Sequence, residues 1–254
     1  MFSNSQRDAP SRKFILVICG LLLALHAEAR APQVIGEAYA LDDGRLLYRE
    51  LHFIENTRRR VEYRLPDGGL LAQKQLDYNG ASTQPSLQQR NWVSGREIEV
   101  RRDRDSLAMS YRPDAQRPLR EARLVMSRDS VIDAGFDEFV RQHWQPLLAG
   151  KTLDFDFLAL TRQQWVPLKM QRQPCPGRND GSMLCLQVKA ANPLLRLLLE
   201  PINLEYRDKQ LQRFTGVSNI SDAKGRALEV DITYRYQGAS ENLHNNFLST
   251  HSNY

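Results

Sequence analysis

The sequence predicts a mainly β fold: an antiparallel meander curled into a half-barrel or barrel, with one central amphipathic helix. From Val34 onward, apolar and polar residues alternate with a period of two, the pattern of strands wet on one face and buried on the other. Turn formers recur between these runs, as in Asp42-Asp43-Gly44, Pro66-Asp67-Gly68-Gly69, Arg207-Asp208-Lys209 and Asp222-Ala223-Lys224-Gly225. A single long segment, near 134–149, switches to helical spacing.

The chain opens with Arg7, Arg12 and Lys13, then an uncharged run from Phe14 to Leu25 that leads to the small-residue sites Ala27-Glu28-Ala29 and Ala29-Arg30-Ala31. That order is the grammar of a secretory signal peptide. The run falls short of the roughly 20 apolar residues a membrane-spanning helix needs, and His26, Glu28 and Arg30 follow it at once. Residues 1–31 are therefore expected to be a cleaved signal peptide that takes Cys19 with it, leaving a mature chain that begins at Arg30 or Pro32 in the periplasm.

Residues 32–237 read as a single β-rich domain, since no internal repeat or second boundary is visible. The clearest strand is Leu228 to Tyr236, where Leu228, Val230, Ile232, Tyr234 and Tyr236 alternate with Glu229, Asp231, Thr233 and Arg235. Similar alternation marks Val61–Leu65, Ile98–Arg101, Leu153–Phe157 and Leu184–Val188, and the rule yields about nine to eleven strands. The stretches 79–89 and 112–118 read as surface loops. A sheet this wide must curl or close, with the helix at its concave side or mouth.

In the helical segment Phe136, Phe139, Val140, Trp144, Leu147 and Leu148 form an apolar stripe, with Asp133 placed to cap it, Asp137 and Glu138 in its first turn and Gly150 as the stop. Pro146 should kink it or end its regular part. These six residues are the candidates to line a ligand cavity. A second segment, 192–201, is bracketed by prolines and suits a short helix. Residues 238–254 are polar and without period, as in a disordered tail.

Cys175 and Cys185 are the only cysteines after the signal segment, and an even count in an exported chain predicts a disulfide. A metal site is not expected, because the spacing is not C-x-x-C and no His lies nearby. Catalytic grammar is also missing. The histidines show no zinc-binding spacing, Gly216-Val217-Ser218-Asn219-Ile220 lacks the last glycine of a nucleophile elbow, and no glycine-rich phosphate loop is present. Asp154 and Asp156 share a strand face, which is also how the wet side of a strand looks. No catalytic residue, cofactor or metal is expected.

The 254 residues carry 35 Lys and Arg against 30 Asp and Glu, a net charge of +5, too slight a surplus for a nucleic-acid footprint. The basic clusters Arg58-Arg59-Arg60 and Arg96, Arg101, Arg102, Arg104 are interleaved with acids and read as solvated strand ends, though arginine forks also suit headgroups or an acidic partner.

The order of an exported β-meander, a central helix beginning Gly135-Phe136-Asp137-Glu138-Phe139-Val140 and a late Phe214-Thr215-Gly216-Val217-Ser218-Asn219-Ile220-Ser221-Asp222 resembles uncharacterised exported proteins of proteobacteria. That resemblance brings no activity and no site residues with it. In architecture alone, the expected curled sheet is similar to periplasmic lipoprotein carriers, whose half-barrels hold acyl chains, and this implies an apolar ligand. The expected function is a noncatalytic periplasmic binding or carrier protein for a lipid or other apolar small molecule. The alternatives are a structural or protein-interaction component of the envelope, and a hydrolase.

Overall fold

The computed structural model describes residues 31–126, 129–176, 183–193, 200–222 and 224–237. The expected signal peptide, apart from Ala31, and the expected tail lie outside the described residues. So do residues 194–199 of the proline-bracketed segment.

The strands are β1 (Val34–Ala40), β2 (Leu46–Glu55), β3 (Arg58–Arg64), β4 (Leu70–Asp77), β5 (Ser86–Asn91), β6 (Glu97–Asp103), β7 (Ser106–Arg112), β8 (Arg120–Val125) and β9 (Ser130–Val131). After helices α1 (Gly135–Gln142) and α2 (Trp144–Leu148) come β10 (Leu153–Ala159), β11 (Gln164–Gln173), β12 (Met183–Ala190), β13 (Ile202–Arg207), β14 (Gln210–Ser221) and β15 (Ala227–Tyr236).

The fifteen strands among the described residues belong to one sheet, which runs from β8 down to β1, then β15 down to β9. Neighbours are antiparallel apart from the short parallel pair of β9 with β10. The chain thus winds out to β8, crosses over through the helices and winds back until β15 pairs with β1. The ladder does not close, because β8 and β9 are its two edges. Side chains bridge the gap instead: Trp165 Nε1 donates to the Val125 carbonyl at 2.9 Å, and Arg120 Nη2 to that of Thr161 at 3.1 Å.

The strand count exceeds the nine to eleven expected, and β5 shows why. The stretch read as a loop at 79–89 ends inside this strand, whose inward residues Leu87, Gln89 and Asn91 are buried although two are amides. Gln89 Nε2 donates to the Asn219 carbonyl at 3.2 Å and Asn91 Nδ2 to that of Ser221 at 3.3 Å, across the interior. They reach the part of β14 where the register with β15 slips between Val217 and Ser221. A bulge there disrupts the ladder locally, and the amides bond carbonyls within and at the end of the irregular stretch.

The expected single helix is two. The break at His143 follows from Pro146, whose ring excludes a helical carbonyl four residues earlier, at Gln142. Pro146 then sits in the first turn of α2, where its missing N–H costs nothing. Asp133 does not cap α1: the N-cap is Ala134, without a side-chain bond, and Asp133 turns elsewhere. Gly135 opens the helix against the Thr83 carbonyl and Pro85, where an added Cβ would overlap both.

Three apolar clusters form the core. The helices pack Phe139, Val140 and Leu147 onto Leu153, Phe155, Met170, Leu184 and Leu204 of β10 to β13. A second cluster joins β4 to β7 with Ile132, Leu158 and Leu160, so the two arms of the sheet share a core across the open seam. A third lies under β1 to β4, β14 and β15, around Tyr48, Val61, Tyr63 and Ile232. Cys175 and Cys185 form a disulfide with Cα atoms 5.3 Å apart, stapling the end of β11 to β12.

Candidate functional site

Interior-facing positions follow from strand parity, because paired residues share a face. On β2 these are Tyr48, Glu50, His52 and Ile54; their partners on β3 are Glu50↔Tyr63, His52↔Val61 and Ile54↔Arg59. Arg59 in turn pairs with Leu76 of β4, whose inward row also holds Lys74. On the other side, Gly36 stands between Glu50 and Tyr234, and Val34 between His52 and Tyr236. A side chain at Gly36 would run into the Tyr234 ring, its Cβ only 2.8 Å from Cε1, so the glycine makes room for that phenol.

The interior therefore carries ionisable groups among apolar walls. Deepest is Lys74, whose Nζ lies 2.6 and 2.8 Å from the two carboxylate oxygens of Asp133. The two side chains are only 3% and 5% exposed. Asp133 also accepts from its neighbour's backbone, Ala134 N, at 2.7 Å and from Asn219 Nδ2 at 2.8 Å. It holds this position at φ +44°, a left-handed conformation that aspartate tolerates better than bulkier residues. The two stretches that carry the resemblance meet here: Asn219 belongs to the late one, and α1 begins two residues after Asp133. Ser218, weighed as a nucleophile, shares a hydrogen bond of 2.8 Å with Tyr48 and accepts from Ile220 N, with no histidine beside it in that network.

Towards the end of the sheet where β2 turns into β3, the interior row passes from buried to half-buried, and this end is its mouth. There His52 Nε2 meets Glu50 at 3.1 Å, and Tyr234 donates to the same carboxylate at 3.3 Å. Helix α1 lies across this mouth. Arg141 bonds both Asp137 and Glu138, and its Nε donates to the Lys209 carbonyl in the β13–β14 turn at 3.2 Å. Facing the helix are Tyr206, Tyr78 and Tyr236, each of whose phenols responds to the charge of Asp137. Burial pushes Tyr78 and Tyr236 up to about 12 from the ordinary 10.0, and raises Tyr206 and Tyr234 well beyond it; the nearby carboxylates act in the same direction. Asp137 raises the Tyr206 phenol further, through its charge and as a hydrogen-bonding neighbour of the hydroxyl.

Arg59 stands in this mouth, not on a solvated strand end as its place in the Arg58-Arg59-Arg60 run suggested. Arg58 and Arg60, of opposite parity, pair with Asp77 and Glu62, while Arg59 turns inward over the Tyr78 ring, 5.6 Å from its centroid. Its Nε is shut off from solvent with no hydrogen-bond partner. His52, Ile54, Arg59, Tyr78, Tyr234 and Tyr236 are all half-buried, so each keeps some contact with solvent.

Of the predicted cavity residues, Phe139, Val140 and Leu147 are enclosed in the cluster under the helices, while Phe136, Trp144 and Leu148 remain half-buried at its edge. Trp144 meets Tyr206 edge-on, with ring centroids 6.1 Å apart. Asp154 pairs with Lys169 at 3.0 Å on the outside of the sheet. Among the described residues, no three His, Cys, Asp or Glu side chains gather closely enough to hold a metal ion. A separate shallow depression on β6 to β8, lined by Glu99, Arg101, Ser110, Glu121 and Arg123, is open and polar.

No family model matches the chain, and no curated protein matches it. Among solved structures, a β-barrel-like protein of the domain of unknown function DUF1849 from Brucella abortus is similar at 9% identity, covering 82% of this chain and 97% of that one with a TM-score of 0.44.

Proposed function

We propose that the chain is an exported, noncatalytic binding or carrier protein that takes a lipid-like ligand into the mouth beside α1. The observation that carries this reading is the set of half-buried residues on the interior face at that mouth: His52, Ile54, Arg59, Tyr78, Tyr234 and Tyr236. Phenol rings and aliphatic stems suit an acyl chain, and a few convergent polar groups suit a headgroup, the usual make-up of a small-molecule site. Phe136, Trp144 and Leu148, at the edge of the helical cluster, extend the apolar surface available to a tail. The disulfide supports export, since such bonds persist in oxidising compartments. The mature chain then begins at Arg30 or Pro32, which N-terminal sequencing of periplasmic protein checks; an intact Met1 on membrane-bound protein contradicts export.

Calorimetric titration of the mature protein with dodecanoate tests the binding reading. Binding is expected, and Val34→Trp, which fills the mouth between His52 and Tyr236, should abolish it while leaving the circular dichroism unchanged. No heat from wild type, or equal binding by the variant, overturns the reading.

A second reading, a protein-interaction component of the envelope, is favoured by the opposite end of the sheet. Leu41, Leu70, Trp92, Val93 and Leu119, all exposed, lie at or beside the turns of that end, with Trp92 47% exposed. Analytical ultracentrifugation against envelope extract fractions, with Trp92→Ser as control, tests it.

A further inference from the structure

We infer that Arg59 is the headgroup receptor of this mouth, and that the ligand is an amphiphile with an oxyanion head, carboxylate or phosphate, on an aliphatic tail. The inference rests on the binding reading above and specifies its ligand. Charges drawn out of water are ordinarily paired or hydrogen-bonded. The other charged side chains of this interior obey that rule: Lys74 with Asp133, Glu50 with His52 and Tyr234, Arg141 with Asp137 and Glu138. Arg59 does not. Its Nε is buried without an acceptor, a feature it shares with Arg96, Arg112 and Arg207, while its terminal nitrogens are not buried and, among the described residues, meet no carboxylate or carbonyl.

What surrounds Arg59 also has the form of a receptor. The Tyr78 ring lies 5.6 Å from the guanidinium carbon in a cation–π contact, which occupies no N–H donor, so the fork can still grip two oxygens at once. Tyr236 is near enough to feel the Arg59 charge, but its hydroxyl is committed to the Leu211 carbonyl at 3.0 Å, so it offers a ring face and not an acceptor. The carboxylates of α1 are held by Arg141. A ligand oxyanion supplies the missing acceptor, with its tail directed along Ile54 and Val34 into the interior.

Titrating wild type, Arg59→Gln and Arg59→Lys with dodecanoate, dodecyl phosphate and dodecan-1-ol tests this, with circular dichroism as the check of fold. Wild type should bind both anions about ten- to a hundredfold more tightly than the alcohol, the range expected of a hydrogen bond to a charged group. Arg59→Gln should bind all three alike, at the affinity of the alcohol, and Arg59→Lys should keep part of the preference because it keeps the charge without the fork. Equal affinity of wild type for anion and alcohol, or an undiminished preference in either variant, overturns the role of Arg59 and leaves the binding reading standing. Failure of all three ligands to bind wild type overturns both. Should Arg59→Gln not fold, Arg59→Lys and the wild-type ratio still decide.

Discussion

Replacing Asp133 with Asn tests whether the interior is organised around the buried ion pair. Asn tolerates φ +44° and its oxygen can still accept from Ala134 N, so the backbone has no reason to move. What disappears is the countercharge to Lys74, an ammonium 3% exposed, with the Tyr63 ring 5.9 Å away as its remaining aromatic neighbour. Removing one partner of a buried pair costs about 3–5 kcal/mol, against about 0–1 for an exposed one. The retained Ala134 bond places the expected loss near the lower figure, about 3 kcal/mol. For a domain of this size each kcal/mol lowers the Tm by about 2–4 °C, so a fall of about 6–12 °C should accompany it. Urea denaturation followed by circular dichroism measures the loss. The double variant Lys74→Met/Asp133→Asn should recover at least about 1 kcal/mol, because contacting partners couple and an apolar side chain replaces an unpaired charge. A loss under about 1 kcal/mol for the single variant, with no recovery in the double, would refute the claim that the pair is desolvated.

Further expectations concern other parts of the fold. Replacing Cys175 and Cys185 with Ser should lower stability by about 3 kcal/mol at most, since the closed loop is short, and non-reducing peptide mapping of wild type should find the two joined. Burial raises six phenols, Tyr48, Tyr63, Tyr78, Tyr206, Tyr234 and Tyr236, above 10.0, so the folded state holds their protons more tightly than the unfolded one. Stability should therefore be undiminished by these groups below pH 10 and fall as pH rises through about 12, while phenolate absorbance of Tyr78 and Tyr236 appears near pH 12 and not near 10. Glu37 has its carboxyl held below the ordinary 4.5, chiefly by the hydrogen bond from Arg49, with Arg235 adding to it. Its contribution is present above that pH and is lost as pH falls further, so the stability gap between wild type and Glu37→Gln should close in acid. Gly135→Ala should destabilise strongly, because its Cβ meets a backbone carbonyl and a proline ring.

The fold was legible wherever one face of a strand is apolar and the other charged. From Leu228 on, strand β15 alternates without exception, and its interior row Val230, Ile232, Tyr234 is the row that alternation selects. Strand β5, Ser-Leu-Gln-Gln-Arg-Asn, was not legible, because its inward amides exist to bond a bulge that only the folded chain brings opposite. The site was partly legible. Arg59 shares parity with Val61 and Tyr63, and Lys74 with Ala72 and Leu76, so each charge stands on the apolar side of its own strand. That signal was hidden in Arg58-Arg59-Arg60, where the outward arginines make the run read as a solvated face. The partnership of Lys74 with Asp133, 59 residues apart, has no local mark at all. Nor has the break at His143 beyond the proline three residues on, which predicts a disruption without placing it.

Native mass spectrometry of protein purified from the periplasm under mild conditions tests the central claim most directly. The account predicts a noncovalent adduct with the mass of an anionic amphiphile, released on denaturation, present on wild type and missing from Val34→Trp. Wild type that carries no adduct and takes up none from added dodecanoate would contradict it.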